Sequence, residues 1–143
     1  MVIFVIGLPC SGKSTFIQNN FSDFYKIDLF DYQENIPRTV EGVWTSYENC
    51  KDALIEALLN HENIVFEHTL FKAIRREYYI QAIQAVKKTD MVIYLINPST
   101  SRILKNAKKR NVLMSRDEIE QSKKILEIPN KKEGFKEIHI IKD

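Results

Sequence analysis

The sequence predicts an α/β protein in which a five-stranded parallel sheet is covered by helices on both faces. Five short apolar runs, of the kind that form strands buried on both sides, recur along the chain. They lie at residues 2–6, 24–27, 64–67, 91–96 and 137–141. Segments with helical spacing separate these runs, and such alternation of strands and helices is typical of a parallel sheet. A single domain over residues 1–143 is expected, because no repeat, linker or low-complexity tract interrupts the chain.

A glycine-rich turn joins the first strand to the first helix. Its sequence GLPCSGKST, at residues 7–15, fits the pattern G-x-x-x-x-G-K-[ST] of a phosphate-binding loop, or P-loop. In such a loop, backbone N–H groups and the positive end of the helix bind phosphate oxygens. Lys13 is expected to bind the β- and γ-phosphates, and the Ser14 hydroxyl to bind Mg²⁺. The residues expected to contact a nucleoside triphosphate are Gly7, Pro9, Cys10, Ser11, Gly12, Lys13, Ser14 and Thr15.

The first two helices are predicted from their position and their caps. Residues 13–20 are expected to form the first helix, which begins with the last residues of the P-loop. Thr45 and Glu48 have the spacing of a capping box, which predicts that a second helix begins there and continues to about residue 60.

The remaining helices follow the third and fourth strands. Ile74, Tyr78 and Ala82 recur on one face of the helix after the third strand, with residues 75–77 on the other side. Ser99 is expected to cap a basic helix that runs to about residue 110. The capping-box sequence Ser115–Glu118 predicts a last helix to about residue 127, before a proline.

Composition and charge exclude several classes of protein. The formal net charge is +2, and no apolar run approaches the roughly 20 residues needed to cross a bilayer, so no membrane segment is expected. Two cysteines do not form a disulfide framework, and Cys10 lies within the P-loop, which favours a reducing, cytoplasmic location. The modest charge and the lack of a basic aromatic surface disfavour a non-catalytic nucleic-acid binder. No stable protein partner is predicted.

Acidic side chains follow the second and third predicted strands. Ligands of parallel α/β sheets bind outside the carboxyl ends of the strands, so these positions are candidates for chemistry. Asp28 and Asp31 are the candidate general bases, and either could take a proton from an acceptor hydroxyl; the alternative for both is the cap of a short helix over residues 29–34. Glu67 is expected to bond Mg²⁺ through water or to hold the acceptor, because a carboxylate at the end of an apolar strand needs a partner. His68 is more typical of a structural hydrogen-bonding residue.

Charge is distributed unevenly along the chain. Residues 22–62 contain nine acidic and three basic side chains, whereas residues 102–116 contain six basic and no acidic ones. A solvated face is the simpler interpretation of each run. A basic segment between two helices also suits a lid that closes on a triphosphate and supplies a guanidinium to the γ-phosphate. Arg110 and Arg116 are the candidates for that role.

Taken together, these residues resemble the small P-loop kinases grouped around the polynucleotide 5′-hydroxyl kinase domain and the zeta-toxin kinases. The polynucleotide kinase likeness includes the P-loop, Thr69 with Arg75, and the run from Lys105 to Arg110. The likeness to zeta toxins includes residues 27–28 and 63–69. The resemblance implies a sheet order of 2-3-1-4-5, an arginine-bearing lid over ATP, and a substrate site formed by Asp28, Glu67, Thr69 and Arg75.

Four positions depart from the polynucleotide kinase pattern. Gln33 stands where those kinases have an arginine that grips the acceptor's phosphate, and Phe30 is an alternative alignment for their general base. His68 replaces an aspartate, and Cys10 replaces a glycine in the loop. The acidic stretch at residues 22–62 also disfavours binding of a long nucleic acid, whose phosphates would need cations along the binding surface.

The leading hypothesis is therefore an ATP-dependent kinase with Mg²⁺, in which Lys13, Asp28 or Asp31, and Arg110 are catalytic. The acceptor hydroxyl would belong to a nucleotide, a nucleic-acid 5′ end or a related metabolite. One alternative is a nucleotide-sugar kinase of the zeta-toxin type. A second alternative is an ATP-binding module or slow ATPase without a kinase acceptor.

Overall fold

A computed structural model describes all 143 residues. The strands are β1 (Val2–Gly7), β2 (Tyr25–Asp28), β3 (Ile64–His68), β4 (Met91–Ile96) and β5 (Glu137–Ile141). The α-helices are α1 (Lys13–Asn20), α2 (Phe30–Gln33), α3 (Val40–Asn60), α4 (Ala73–Val86), α5 (Thr100–Lys109) and α6 (Arg116–Ile125). A 3₁₀ turn at Lys131–Glu133 precedes β5. The strands form one parallel sheet in the order β2-β3-β1-β4-β5, which confirms the predicted order.

The central strand β1 divides the core into two layers. Alternate side chains of a strand point to opposite faces of the sheet. Phe4 and Ile6 accordingly belong to a large apolar cluster with side chains of α3 and α4, such as Leu54 and Ile83. Ile3 and Val5 belong to a smaller cluster on the other face, which contains Ile17 of α1. Helices therefore cover both faces, and the P-loop follows the most deeply buried strand.

Helix α3 begins earlier than its predicted cap. Thr39 is the N-cap, and its side chain accepts a hydrogen bond from the backbone N–H of Gly42 at 3.0 Å. Thr45 lies within the helix and donates its hydroxyl to the carbonyl of Glu41. The capping-box prediction at Thr45 was wrong. Val40, Val43 and Trp44 already recur at helical spacing before Thr45, although all three are exposed rather than part of the core.

The buried face of helix α4 also differs from the prediction. Arg76, Tyr79, Ile80 and Ile83 are buried, whereas Ile74 is 71% exposed. The spacing of these four residues is helical, but an arginine stands at the first position. The partner of Arg76 is Glu133 of the 3₁₀ turn, and the helical periodicity of α4 does not reveal this contact.

The predicted caps of the two last helices are confirmed. The Ser99 hydroxyl accepts from the N–H of Arg102, and the Ser115 hydroxyl accepts from the N–H of Glu118. Helix α6 ends at Ile125, two residues before the predicted end. The N–H of Leu126 still bonds the carbonyl of Ser122, but that of Glu127 bonds the carbonyl of Phe71, so the helix does not continue.

No helix combines the length and the apolar character needed to cross a bilayer.

Candidate functional site

A cleft of about 370 Å³ opens at the carboxyl ends of β1, β2 and β3. The P-loop forms one wall, the ends of β2 and β3 form the other, and the end of α5 closes the rim. Most of the predicted site residues line it, namely Pro9, Cys10, Gly12, Lys13, Ser14, Thr15, Asp28, Glu67, Thr69 and Arg110. Gly7, Ser11, Asp31 and Arg75 do not line this cleft.

The backbone of the P-loop requires glycine at two positions. A Cβ atom on Gly7 would lie 2.5 Å from the carbonyl oxygen of Ile96, so β1 and β4 approach closely here only because no side chain intervenes. Gly12 has φ of 103°, a conformation that other residues rarely adopt. Cys10 also has a positive φ, of 63°. It stands at the position where the polynucleotide kinase pattern of the sequence analysis has glycine.

Five backbone N–H groups of the loop have no hydrogen-bond acceptor within the protein. They belong to Cys10, Gly12, Lys13, Ser14 and Thr15. Buried backbone donors are normally paired, and a cluster of unpaired ones at a helix N-terminus is a ready-made anion site. The loop therefore fits a polyphosphate.

The Lys13 side chain contacts the start of the loop. Its Nζ donates to the carbonyl of Gly7 at 2.8 Å. Burial lowers the pKa of the ammonium, while the carboxylates of Glu67 and Asp28 act in the opposite direction. The two carboxylates thus help to keep the ammonium charged where the outer phosphates would lie.

Glu67 connects the P-loop to the neighbouring strands. Its carboxylate accepts the Ser14 hydroxyl at 3.1 Å, and it lies 3.4 Å from Nζ of Lys26. Glu67 is 8% exposed, so the two contacts compensate for burial of its charge. A hydroxyl next to a carboxylate is an oxygen-only donor set, which fits Mg²⁺ with its remaining ligands from water and phosphate. Ser14 and Glu67 are the residues that would hold the ion.

Asp28 lies beside Glu67, since the two residues pair across β2 and β3. Its Oδ1 accepts from the N–H of Phe30 at 3.0 Å, and its Oδ2 is 3.9 Å from Nζ of Lys26. Burial raises the pKa of Asp28, the charge of Glu67 raises it further, and the Phe30 N–H and Lys26 lower it. A carboxylate with a raised pKa suits proton acceptance. Asp31 is exposed outside the cleft.

His68 has a structural hydrogen-bonding pattern. Its Nδ1 accepts from the N–H of Leu70 at 3.2 Å, which leaves Nε2 to donate to the Tyr79 hydroxyl, also at 3.2 Å. That hydroxyl in turn lies 3.4 Å from the carbonyl of Tyr47. Complete burial holds the pKa of His68 well below its ordinary value. A neutral imidazole therefore forms the floor of the cleft.

The predicted arginines are placed differently from one another. Arg110 ends α5 and lines the cleft. Arg75 stacks on the rings of Trp44 and Tyr47, at 4.7 and 5.6 Å from their centroids. Arg116 pairs with Glu120 within α6 and donates to the Ser101 hydroxyl.

A second cleft of about 500 Å³ lies on the other side of the P-loop. Cys10, Gly12, Thr15 and Arg110 line both clefts. The second cleft is completed by residues that the sequence analysis did not select, among them Asn19, Pro98, Arg102, Asn106 and Lys109. The Asn106 amide donates to the carbonyl of Cys10 at 3.0 Å, and this bond ties α5 to the loop. Arg102, Asn106 and Lys109 lie in the basic segment that the sequence analysis assigned to a lid, whereas no local motif indicates Asn19 or Pro98.

No protein-family model matches the sequence, and no curated protein matches it. Solved structures do match the fold. A sugar kinase from Janibacter sp. HTCC2649 aligns with a TM-score of 0.71 at 13% identity, over 99% of this chain and 84% of that one. A gluconokinase from Sinorhizobium meliloti 1021 aligns with a TM-score of 0.64 at 19% identity, over 99% and 81%.

A chain of the Pnkp1/Rnl/Hen1 RNA repair complex aligns with a TM-score of 0.73 at 15% identity, over 87% of this chain and 43% of that one. Identities at this level show the fold and leave the activity to be argued from the site. The parallel sheet, its strand order, the P-loop and these structural similarities together establish that the chain has the fold of small P-loop kinases.

Proposed function

We propose that the protein is an ATP-dependent kinase that transfers the γ-phosphate of ATP to a hydroxyl group of a small metabolite, a nucleotide or a nucleic-acid 5′ end. The observation that carries the proposal is the pair of carboxylates, Asp28 and Glu67, that faces the unpaired N–H groups of the P-loop across one cleft. A phosphate cradle next to a metal-binding hydroxyl and a free carboxylate contains the parts that phosphoryl transfer requires.

Each part has a role in this proposal. The loop amides and Lys13 bind the β- and γ-phosphates, the nucleoside lies in the second cleft, and Arg110 neutralises charge on the transferring group. Mg²⁺, when bound near Ser14 and Glu67, supplies positive charge to the phosphate oxygens. Asp28 orients the acceptor hydroxyl and accepts its proton as the oxygen attacks the γ-phosphorus. The kinases among the structural neighbours support transfer rather than simple binding.

The direct test is transfer from ATP labelled at the γ-phosphate, with Mg²⁺, to panels of sugars, nucleosides, nucleotides and oligonucleotides. Lys13→Ala is expected to abolish labelled product, and Lys88→Ala, which changes an exposed lysine away from the cleft, is the matched control. Labelled product from Lys13→Ala at the rate of the unaltered protein would contradict the proposal. So would the absence of product with every panel.

An ATP-binding module would use the loop alone and would not need Asp28. ATP affinity should survive Asp28→Asn under both functions, so affinity does not separate them. Phosphate transfer to an acceptor separates the two functions, because only a kinase catalyses it and only in a kinase can Asp28→Asn reduce it.

A further inference from the structure

The acceptor end of the cleft has a distinctive chemical composition. If the P-loop, Lys13 and Arg110 bind ATP, as the proposed function requires, the lining that remains for the acceptor comes from α2 and the ends of β2 and β3. It presents two carboxylates, an amide, a hydroxyl and an exposed aromatic ring, from Asp28, Glu67, Gln33, Thr69 and Phe30.

The cationic side chains near the acceptor end already contact other groups of the protein or face the phosphate side of the cleft. Lys13 and Arg110 are the only cationic side chains that line the cleft, and both face the phosphate side. Lys26 lies outside the lining and is 3.4 Å from the Glu67 carboxylate. The guanidinium of Arg75 lies over the Trp44 ring, outside the cleft. A phosphate or carboxylate on the acceptor would therefore lie beside two carboxylates, and the nearest cation, Lys26, is already paired with both of them.

The same end offers contacts that suit a polyhydroxylated molecule. Phe30 and Gln33 are three residues apart on α2 and so lie on the same side of it. The Phe30 ring is 66% exposed and provides an apolar surface for the C–H face of a sugar ring. The Gln33 amide and the Thr69 hydroxyl can both donate to and accept from hydroxyl groups, and the two carboxylates accept from them.

We infer that the acceptor is an uncharged polyol of sugar type, bound by Gln33, Thr69 and the face of Phe30, with the reacting hydroxyl at Asp28. This inference rests on the proposed kinase function and narrows it, because it excludes nucleotides, nucleic-acid 5′ ends and sugar acids as good acceptors. Gln33 is the residue that determines the preferred charge of the acceptor.

The first experiment compares matched pairs of acceptors with labelled ATP and Mg²⁺. Neutral hexoses, pentoses and hexitols are paired with their phosphates, with aldonic acids and with nucleoside monophosphates. The neutral member is expected to have a kcat/KM larger by about tenfold or more. An anionic member that reacts as well as, or better than, its neutral partner would overturn the inference and leave the kinase function intact.

The second experiment reverses the charge preference. Gln33→Arg places a cation at the acceptor end and is expected to shift the ratio of kcat/KM, anionic over neutral, upward by about tenfold. Gln81→Arg makes the same change on the exposed surface of α4 and should leave the ratio unaltered. Phe30→Ala should raise KM for the neutral acceptor while the affinity for ATP, measured by calorimetry, stays constant.

The results separate the two claims. If no acceptor of either charge is labelled although ATP binds, the kinase function falls and the inference falls with it. If transfer occurs but Gln33→Arg and Gln81→Arg behave alike, only the assignment of the acceptor end is contradicted.

Discussion

Cys10 combines an unusual backbone with a side chain that is only 8% exposed and lines both clefts. Its φ of 63° lies in the left-handed region, where a side chain costs about 1–2 kcal/mol relative to glycine. The residue nevertheless packs with Leu8, Ile103 and Ile119, and its carbonyl accepts from Asn106. Packing of the thiol against the base of α5 compensates for the backbone strain, and this contact explains why a side chain is tolerated there.

The two cysteines should differ in their reaction with iodoacetamide. Cys50 is completely buried, and burial raises the pKa of its thiol to about 12, so the reactive thiolate is scarce. Alkylation of the folded protein is expected at Cys10, and ATP with Mg²⁺ should slow it because Cys10 lines both clefts. Mass spectrometry locates the label. Modification of Cys50 first, or a Cys10 rate that ATP does not change, would contradict the assigned nucleotide site.

Asp28→Asn should separate activity from stability. Because the pKa of Asp28 is raised in the folded protein, its ionisation costs stability as the pH rises through the carboxyl range. The amide removes that charge and keeps an oxygen to accept from the Phe30 N–H. We expect Tm at neutral pH to stay constant or rise, and transfer to fall by about 10²–10⁴-fold. The exposed Asp23→Asn serves as control. A marked drop in Tm would indicate that the carboxylate is chiefly structural.

An ion pair between the buried Arg76 and the largely buried Glu133 ties α4 to the 3₁₀ turn before β5. Arg76 is 0% exposed and bonds Glu133 through Nε at 2.6 Å and Nη2 at 3.1 Å. Its Nη1 donates to the carbonyls of Leu70 and Phe71, in the loop that follows β3. The arginine therefore fixes the loop next to Thr69, at the acceptor end of the cleft.

Removing one partner of this pair should be strongly destabilising. Arg76→Ala leaves the Glu133 carboxylate without its partner and is expected to lower the free energy of unfolding by about 3–5 kcal/mol. Replacing both residues, as Arg76→Met with Glu133→Leu, should recover part of the loss. Urea unfolding measures both effects. If the double variant is as unstable as the single one, the carbonyl contacts of Arg76 matter more than the ion pair.

The sequence allows prediction of elements whose signals are local. The P-loop and the apolar strands need no information from distant residues, and the rule that ligands bind at the carboxyl ends of parallel strands selects Asp28 and Glu67 from the sequence alone. The start of α3 was missed although Val40, Val43 and Trp44 have helical spacing after the Thr39 cap, whereas the buried face of α4 was not predictable in this way. Arg76 meets its partner 57 residues further along the chain, and only the tertiary structure brings the two together.

On the scale of the whole molecule, the sheet order separates the two charged segments of the chain. The acidic residues 22–62 include β2 at one edge of the sheet, while the basic residues 102–116 follow β4 on the other side of β1. The cleft lies between them. The phosphate side is thereby positive and the acceptor side negative, in agreement with a polyanionic donor and an uncharged acceptor.

Salt should then affect the two substrates differently. We expect the Kd for ATP to increase as the NaCl concentration rises from about 50 mM to about 500 mM, because screening reduces the attraction of ATP to the basic side of the cleft. The KM of a neutral polyol, measured at saturating ATP, should change little over the same range. Equal salt dependence for both substrates would show that the acceptor is also charged.

The five unpaired amides of the P-loop have a consequence that extends beyond nucleotides. A backbone held open with its donors unsatisfied is incomplete on its own, and any compact oxyanion of suitable geometry can complete it. Pyrophosphate at 100 times its dissociation constant would add about 2.7 kcal/mol to the resistance to unfolding by mass action alone. We therefore expect the free energy of unfolding to rise with the concentration of pyrophosphate even when no nucleotide is present.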